Sequence, residues 1–158
     1  MHATQNKKLI YDIGFHKGED LGYYLHLGYK VVGVDADPKM VENLKQIYSN
    51  EFNSGQLIIL NHAISDKDNE EVEFNLSEWS FWNSLRKEVA SRDNKQVNSI
   101  YVITKRLDSI MHQFGIPYYC KIDIEGLDAL AVNTLNNLEH KPTFISVETE
   151  CLGADELI

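Results

Sequence analysis

The stretch Lys8-Leu9-Ile10-Tyr11-Asp12-Ile13-Gly14-Phe15-His16-Lys17-Gly18 decides the fold. An apolar, strand-like segment from Lys8 to Ile13 runs into a D-x-G-x-x-x-G turn. A helical pattern begins near Gly18, with Leu21, Tyr24, Leu25 and Leu27 spaced to face a sheet. Gly28 supplies a left-handed stop. A second buried strand follows, Lys30-Val31-Val32-Gly33-Val34-Asp35. Asp37 is then placed as a helix N-cap, Pro38 at the first helical position, and Met40, Val41, Leu44 and Ile47 as an apolar stripe. Strand, glycine turn, helix and strand make a unit whose parallel strands need a helical crossover, which places helices on the faces of the sheet.

The rest of the chain repeats the alternation, with no internal repeat or low-complexity tract. Leu57 to Asn61 reads as the third strand. Val72 to Leu76 and Ile100 to Thr104 read as a pair bracketing an insertion, in which Lys87 to Asn98 forms a loop or short surface helix. Asp108 is placed to cap a helix through Phe114, which Gly115 ends and Pro117 forbids from continuing. Tyr118 to Ile124 is the fourth principal strand, Leu127 to Leu138 its helix, and Thr143 to Glu148 the fifth strand. The pattern predicts an α/β fold, a Rossmann-like, mostly parallel sheet with helices on both faces, forming one domain over residues 1–158.

Composition agrees. A chain of 158 residues is one ordinary domain, able to bury roughly 70% of its unfolded surface. Hydrophobic residues make up 43% and charged residues 25%, an ordinary globular balance. Runs such as Leu57 to Leu60 are too short to span a bilayer, and residues 1–8 carry no apolar signal region, so no membrane partner and a cytoplasmic location are expected. Cys120 and Cys151 lack metal-ligand spacing and read as free, buried thiols. The net charge of −9 speaks against a nucleic-acid partner, because phosphate neutralisation supplies most non-specific affinity for such polymers.

In doubly wound sheets, ligands bind beyond the carboxyl ends of the strands where strand order reverses. Gly14 permits a tight turn there, and Gly18 lets the following helix approach the strand with its free N–H groups aimed at a ligand. The turn differs from the dinucleotide fingerprint G-x-G-x-x-G: it has one glycine fewer and Asp12 in front. A pyrophosphate disfavours that carboxylate, whereas a ligand carrying an ammonium and a sulfonium tolerates it. Asp35 ends the second strand near the roughly 20-residue spacing at which an acid meets ribose hydroxyls. Together these features point to a nucleoside-containing cofactor. Lys121-Ile122-Asp123-Ile124-Glu125-Gly126 adds Asp123 and Glu125 at the end of the fourth strand, beside the first. Period-two geometry puts Lys121, Asp123 and Glu125 on one side if the strand stays regular. Glu148 joins the rim from the fifth strand.

These pieces resemble the FkbM-like methyltransferases, which methylate hydroxyl groups on sugars, polyketides and related small molecules. The matching segments are Tyr11 to Gly14 with His16 to Asp20, Val34 to Pro38, Asn61 to Ser65, Arg106 to Asp108, Lys121 to Gly126 and Ser146 to Glu148. The resemblance implies S-adenosylmethionine as cofactor. Asp12, Gly14 and Gly18 would shape its methionine end, Asp35 would hold the ribose, and Ala63 and Ile64 would lie by the adenine. Phe15, His16 and Lys17 complete the loop, and Ala36 follows the ribose acid. Asp123 would stand near the reacting methyl. Asp123 or Glu125 would accept the proton of the acceptor hydroxyl, or hold a divalent ion that acidifies it. Trp79, Phe81 and Trp82 could floor an acceptor pocket or pack in the core.

Two rival readings are a nicotinamide-dependent oxidoreductase, disfavoured by the missing fingerprint, and a non-catalytic module that retains the cofactor fold. The related sheet continues past its fifth strand with a helix and two more strands, and this sequence stops at Ile158. Thr143 to Glu148 is therefore expected to be a sheet edge, completed by the rest of a longer protein, a second copy or a partner subunit.

Overall fold

The computed structural model describes residues 6–77, 83–85 and 97–148. Its strands are β1 (Asn6–Ile13), β2 (Lys30–Asp35), β3 (Leu57–Asn61), β4 (Ala63–Ile64), β5 (Glu71–Ser77), β6 (Val97–Lys105), β7 (Pro117–Ile122) and β8 (Phe144–Val147). Its helices are α1 (Glu19–His26), α2 (Pro38–Ile47), α3 (Ser49–Ser54), α4 (Leu107–Phe114) and α5 (Asp128–Thr134), the last running into a 3-10 turn at Leu135–Asn137. The main sheet is parallel with order β3-β2-β1-β7-β8, and a smaller sheet has order β4-β6-β5 with β5 antiparallel to β6. The chain builds outward from β1 through β2 to β3, then returns to the other side of β1 with β7. The crevice at that reversal lies at the carboxyl ends of β1 and β7.

Period-two alternation sorts the main sheet into two cores. Leu9, Tyr11 and Ile13 of β1, with Val32, Val34, Cys120 and Ile122, pack under α4 and α5. Val31, Leu57 and Ile59 face the other way, against Leu21 and Leu25 of α1 and Val41 and Leu44 of α2. The Tyr11 hydroxyl, buried in the first core, donates to the Gly115 carbonyl at 2.9 Å. Cys120 is buried and free as expected. Among the described residues, no helix is long and apolar enough to cross a membrane.

The bounds of β2 and β3 and the pairing of β5 with β6 follow the sequence pattern, and Asp37 caps α2 by accepting from Lys39 N at 2.9 Å. Elsewhere the structure corrects it. Leu27, the residue just past the end of α1, and Ile47, the last residue of α2, are 53% and 65% exposed and do not join the apolar stripes that face the sheet. Asp108 does not cap α4, which begins at Leu107. It sits in the first turn, buried, where its carboxylate accepts from the Arg106 guanidinium and from Asn137 Nδ2. The fourth principal strand starts at Pro117 and ends at Ile122, before Asp123. Residues Ala63–Ile64 form the short strand β4, which no periodicity announces. Among the described residues β8 is an edge strand of its sheet, as β3 is at the other side, with Phe144 53% and Ile145 38% exposed. Trp79, Phe81, Trp82, Lys87 to Gln96 and Cys151 lie outside the described residues, and Val97 and Asn98, expected in the loop, instead open β6.

Two glycines with nearly the same backbone separate conformational strain from close approach. Gly14 and Gly28 have φ of 80° and 83°. A Cβ on Gly14 would stand 1.8 Å from the Asp123 carbonyl oxygen, whereas one on Gly28 would meet nothing within 4 Å. Gly28→Ala is expected to cost about 1–2 kcal/mol, the left-handed backbone alone. Gly14→Ala is expected to exceed that by at least about 2 kcal/mol, because backbone must move. Urea unfolding of both variants checks this, and equal losses would contradict it.

Candidate functional site

The cleft at the strand reversal is held by backbone before any side chain contributes. Gly14 N donates to Val34 O at 2.8 Å, Asp123 N to Ile13 O at 2.9 Å, and Gly18 N to Phe15 O at 2.7 Å, which closes the turn after β1. His16 adopts the left-handed region at φ 49°, where histidine is one of the few side chains found with any frequency. That conformation aims its N–H at Asp35 Oδ2, 2.9 Å away, while Asp37 N donates to Asp35 Oδ1 at 2.9 Å. Each oxygen of this half-buried carboxylate thus keeps further acceptor capacity in a fixed orientation. Burial pushes its pKa up to about 6, against the opposing backbone donors of Asp37 and His16. Asn61 Nδ2 donates to the carbonyls of Asp35 and Ala36, both at 3.0 Å, and so pins the turn after β2.

One wall of the cleft is apolar. Ala36, Ala63 and Phe74 belong to a small core with Val102, and Ile64, Met40 and Leu85 extend the surface they present. The turn after β7 adds Asp123, Ile124 and Glu125 to the lining. Because β7 stops at Ile122, Lys121, Asp123 and Glu125 do not share one face of a regular strand. The turn instead passes through φ 51° at Glu125 and 99° at Gly126, and both Asp123 and Glu125 line the cleft. Asp128, fully buried at the start of α5, holds it: Ile124 N donates to Oδ1 at 3.0 Å and Gly126 N to Oδ2 at 3.1 Å. The Asp123 carboxyl is raised above the ordinary range by burial and by the carboxylates of Asp128, Glu148 and Asp20, with Lys121 opposing.

Of the residues singled out from sequence, Gly14, His16, Asp35, Ala36, Ala63, Ile64, Asp123 and Glu125 meet around one cleft. Asp12, Phe15, Lys17 and Gly18 are not among its walls. Phe15 is a core side chain packed near Gly33, Lys17 is exposed, and Gly18 abuts Leu44 of α2, where a Cβ would come within 2.6 Å. Gly18 therefore serves the packing of α1 on α2. Asp12 is wholly buried on the α1 side of β1, and neither oxygen has a hydrogen bond among the described residues. Its nearest cation is Lys121, whose ammonium lies 3.9 Å from Asp12, 3.9 Å from Asp123 and 2.8 Å from Asp20. The sequence reading missed Met40, His62, Phe74, Asn83 and Leu85, which also line the cleft, and Asp128 behind it. Asp128 had a signal, an acid at the opening of a helix just after a glycine turn. Among the described residues, no group of three metal-donor side chains is placed to hold an ion.

The family model of the methyltransferase FkbM domain matches residues 12–151. No curated protein and no solved structure matches the chain.

Burial pushes the Asp12 pKa up to about 7, with Lys121 opposing. Between the ordinary carboxyl pKa of about 4 and that value, the folded chain holds a proton that the unfolded chain has released. This group's contribution to stability is therefore largest below about pH 4 and falls as pH rises to about 7. Asp12→Asn is expected to flatten the decline and to raise stability at neutral pH relative to acid. Urea unfolding at pH 4.5 to 8, buffers chosen at about half-unit steps, checks this. An unchanged slope would contradict the assignment.

Proposed function

Because the chain belongs to the FkbM methyltransferase family, we propose that it transfers a methyl group from S-adenosylmethionine to a hydroxyl oxygen of a sugar, polyketide or other small molecule. One juxtaposition supports this most: a preoriented acid, Asp35, and a turn carrying Asp123 and Glu125 line one cleft together with the apolar residues Ala63, Ile64, Phe74 and Leu85. The donor set suits the cofactor. Ala63, Ile64, Phe74 and Leu85 offer the surface an adenine ring requires, and the remaining lone pairs of Asp35 suit two ribose hydroxyls. Carboxylates around Gly14 favour a ligand bearing ammonium and sulfonium charges over a pyrophosphate.

When bound, S-adenosylmethionine supplies a methyl carbon on a sulfonium, a good electrophile with a neutral leaving group. The C–S bond breaks as the O–C bond forms, the bonding pair stays on sulfur, and the acceptor hydroxyl loses its proton. The chain's work is then mainly alignment and exclusion of water, worth about 7–11 kcal/mol, against about 3–5 kcal/mol for a general base. Asp123 is the better-placed base. Its raised pKa strengthens its basicity, and it lines the cleft where the turn meets the β1 loop. Glu125 is the second candidate on the same turn.

Asp35→Ala is expected to weaken S-adenosylhomocysteine binding by about 1–3 kcal/mol in calorimetry, through lost ribose hydrogen bonds. Asp123→Asn is expected to lower transfer of labelled methyl to a panel of hydroxylated acceptors far more than it lowers cofactor affinity. Unchanged affinity in the first variant would remove Asp35 from the site. Equal losses in the second would make Asp123 a binding residue instead.

A further inference from the structure

Residues 83–85 cross from the small sheet to both walls of the cleft. Asn75 of β5, itself buried, anchors them: its N donates to Ser84 O at 2.9 Å, Ser84 N donates to Asn75 O at 3.0 Å, and Asn75 Nδ2 reaches Ser84 O at 3.1 Å. Asn83 accepts from Ser77 N through Oδ1 at 2.8 Å and donates through Nδ2 to Asp37 Oδ2 at 3.1 Å. Asp37 is the cap of α2 and adjoins the turn that holds Asp35. One residue later, the fully buried Ser84 donates from Oγ to the Glu125 carbonyl at 2.7 Å. The same short segment therefore touches the nucleoside side of the cleft and the acid turn.

The acid turn needs such support. It has two consecutive residues at positive φ, Glu125 and Gly126, and the non-glycine one carries a conformational cost of order 1 kcal/mol or more. Asp128 satisfies the turn's two inward N–H groups from below. Ser84 supplies a donor to its carbonyl from the side of the cleft. These two side chains grip the peptide units that carry Asp123 and Glu125.

We propose that Ser84 is a positioning residue for the Asp123 to Gly126 turn, and that with Asn83 it couples the nucleoside side of the cleft to the acid side. The hydroxyl acts through the Glu125 carbonyl and touches no reacting atom. Loss of either contact leaves the other wall less well placed, so a ligand seated on one wall stiffens the other. The ligand-dependent part rests on the methyltransferase reading above, whereas the grip on the turn does not.

Amide hydrogen exchange and calorimetry with S-adenosylhomocysteine test this on the full chain. In the ligand-free protein, Ser84→Ala is expected to speed exchange at Ile124 and Gly126 about fivefold to tenfold, the loss of one hydrogen bond. The β1 amides should stay unchanged. Ser84→Ala and Asn83→Ala should each weaken S-adenosylhomocysteine several-fold, and the double variant should lose less than the product of the two. Unchanged exchange at Ile124 and Gly126, or equal acceleration throughout β1, would overturn the positioning role. A double variant whose loss equals the product would overturn the coupling. Wild-type protein that fails to bind S-adenosylhomocysteine would overturn both the coupling and the methyltransferase reading, and the exchange measurement would still decide the grip of Ser84.

Discussion

The backbone at Gly14 passes so close to the Asp123 carbonyl that no side chain fits between them. Most of the site follows from that approach. It brings the loop after β1 against the turn after β7, and the hydrogen bonds from Gly14 to Val34 and from Asp123 to Ile13 extend the stitching over three neighbouring strands. Once these strand ends are joined, His16 is carried to the end of β2, where its N–H fixes one oxygen of Asp35. The walls of the cleft are thus positioned by peptide groups, and the side chains that face it inherit their places.

The same junction has an electrostatic side. Asp12 and Lys121 are register partners on β1 and β7 and lie on the α1 face of the sheet, beside the apolar cluster of Leu21, Leu25, Val31 and Leu57. A buried carboxylate without hydrogen bonds is costly, and Lys121 offsets part of that cost while also reaching Asp20 and Asp123. A polar seam therefore runs from the protein surface at Asp20, through Lys121, to the edge of the cleft at Asp123. Charge in the strand interior, which looks misplaced in a core, is continuous with charge in the site.

Much of this was legible in the sequence because it is local. The βαβ pattern, the Asp37-Pro38 helix start and the glycine turn each arise from short-range sterics, and they place β2, β3 and α2 closely. The cleft residues at or just beyond strand ends, Gly14, Asp35, Asp123 and Glu125, could be read once the topology was inferred. The misreadings are places where tertiary contacts decide. Phe15 was read as part of the ligand loop and Gly18 as letting a helix pack closely; the side chain of Phe15 is buried in the core, and the helix that closes on Gly18 is α2, through Leu44. The acid segment looked like regular strand through Ile124. Asp128 instead captures the amides of Ile124 and Gly126, and the chain leaves the sheet at Ile122. Asn83, Ser84 and Leu85 carried no local signal, since their importance comes from the pairing of Ser84 with Asn75 of β5 and from contacts to Asp37 and Glu125 far away in sequence.

The central claim is that this cleft, bounded by the β1 loop, the end of β2, β4 and the acid turn, receives S-adenosylmethionine. Titration of the chain with S-adenosylhomocysteine, followed residue by residue through amide chemical shifts, tests it most directly. Saturable shifts concentrated at Gly14, His16, Asp35, Ala36, Ala63, Ile64 and Asp123 to Glu125 are the predicted result. Absence of saturable shifts, or saturation by NAD at the same residues with no response to S-adenosylhomocysteine, would contradict it.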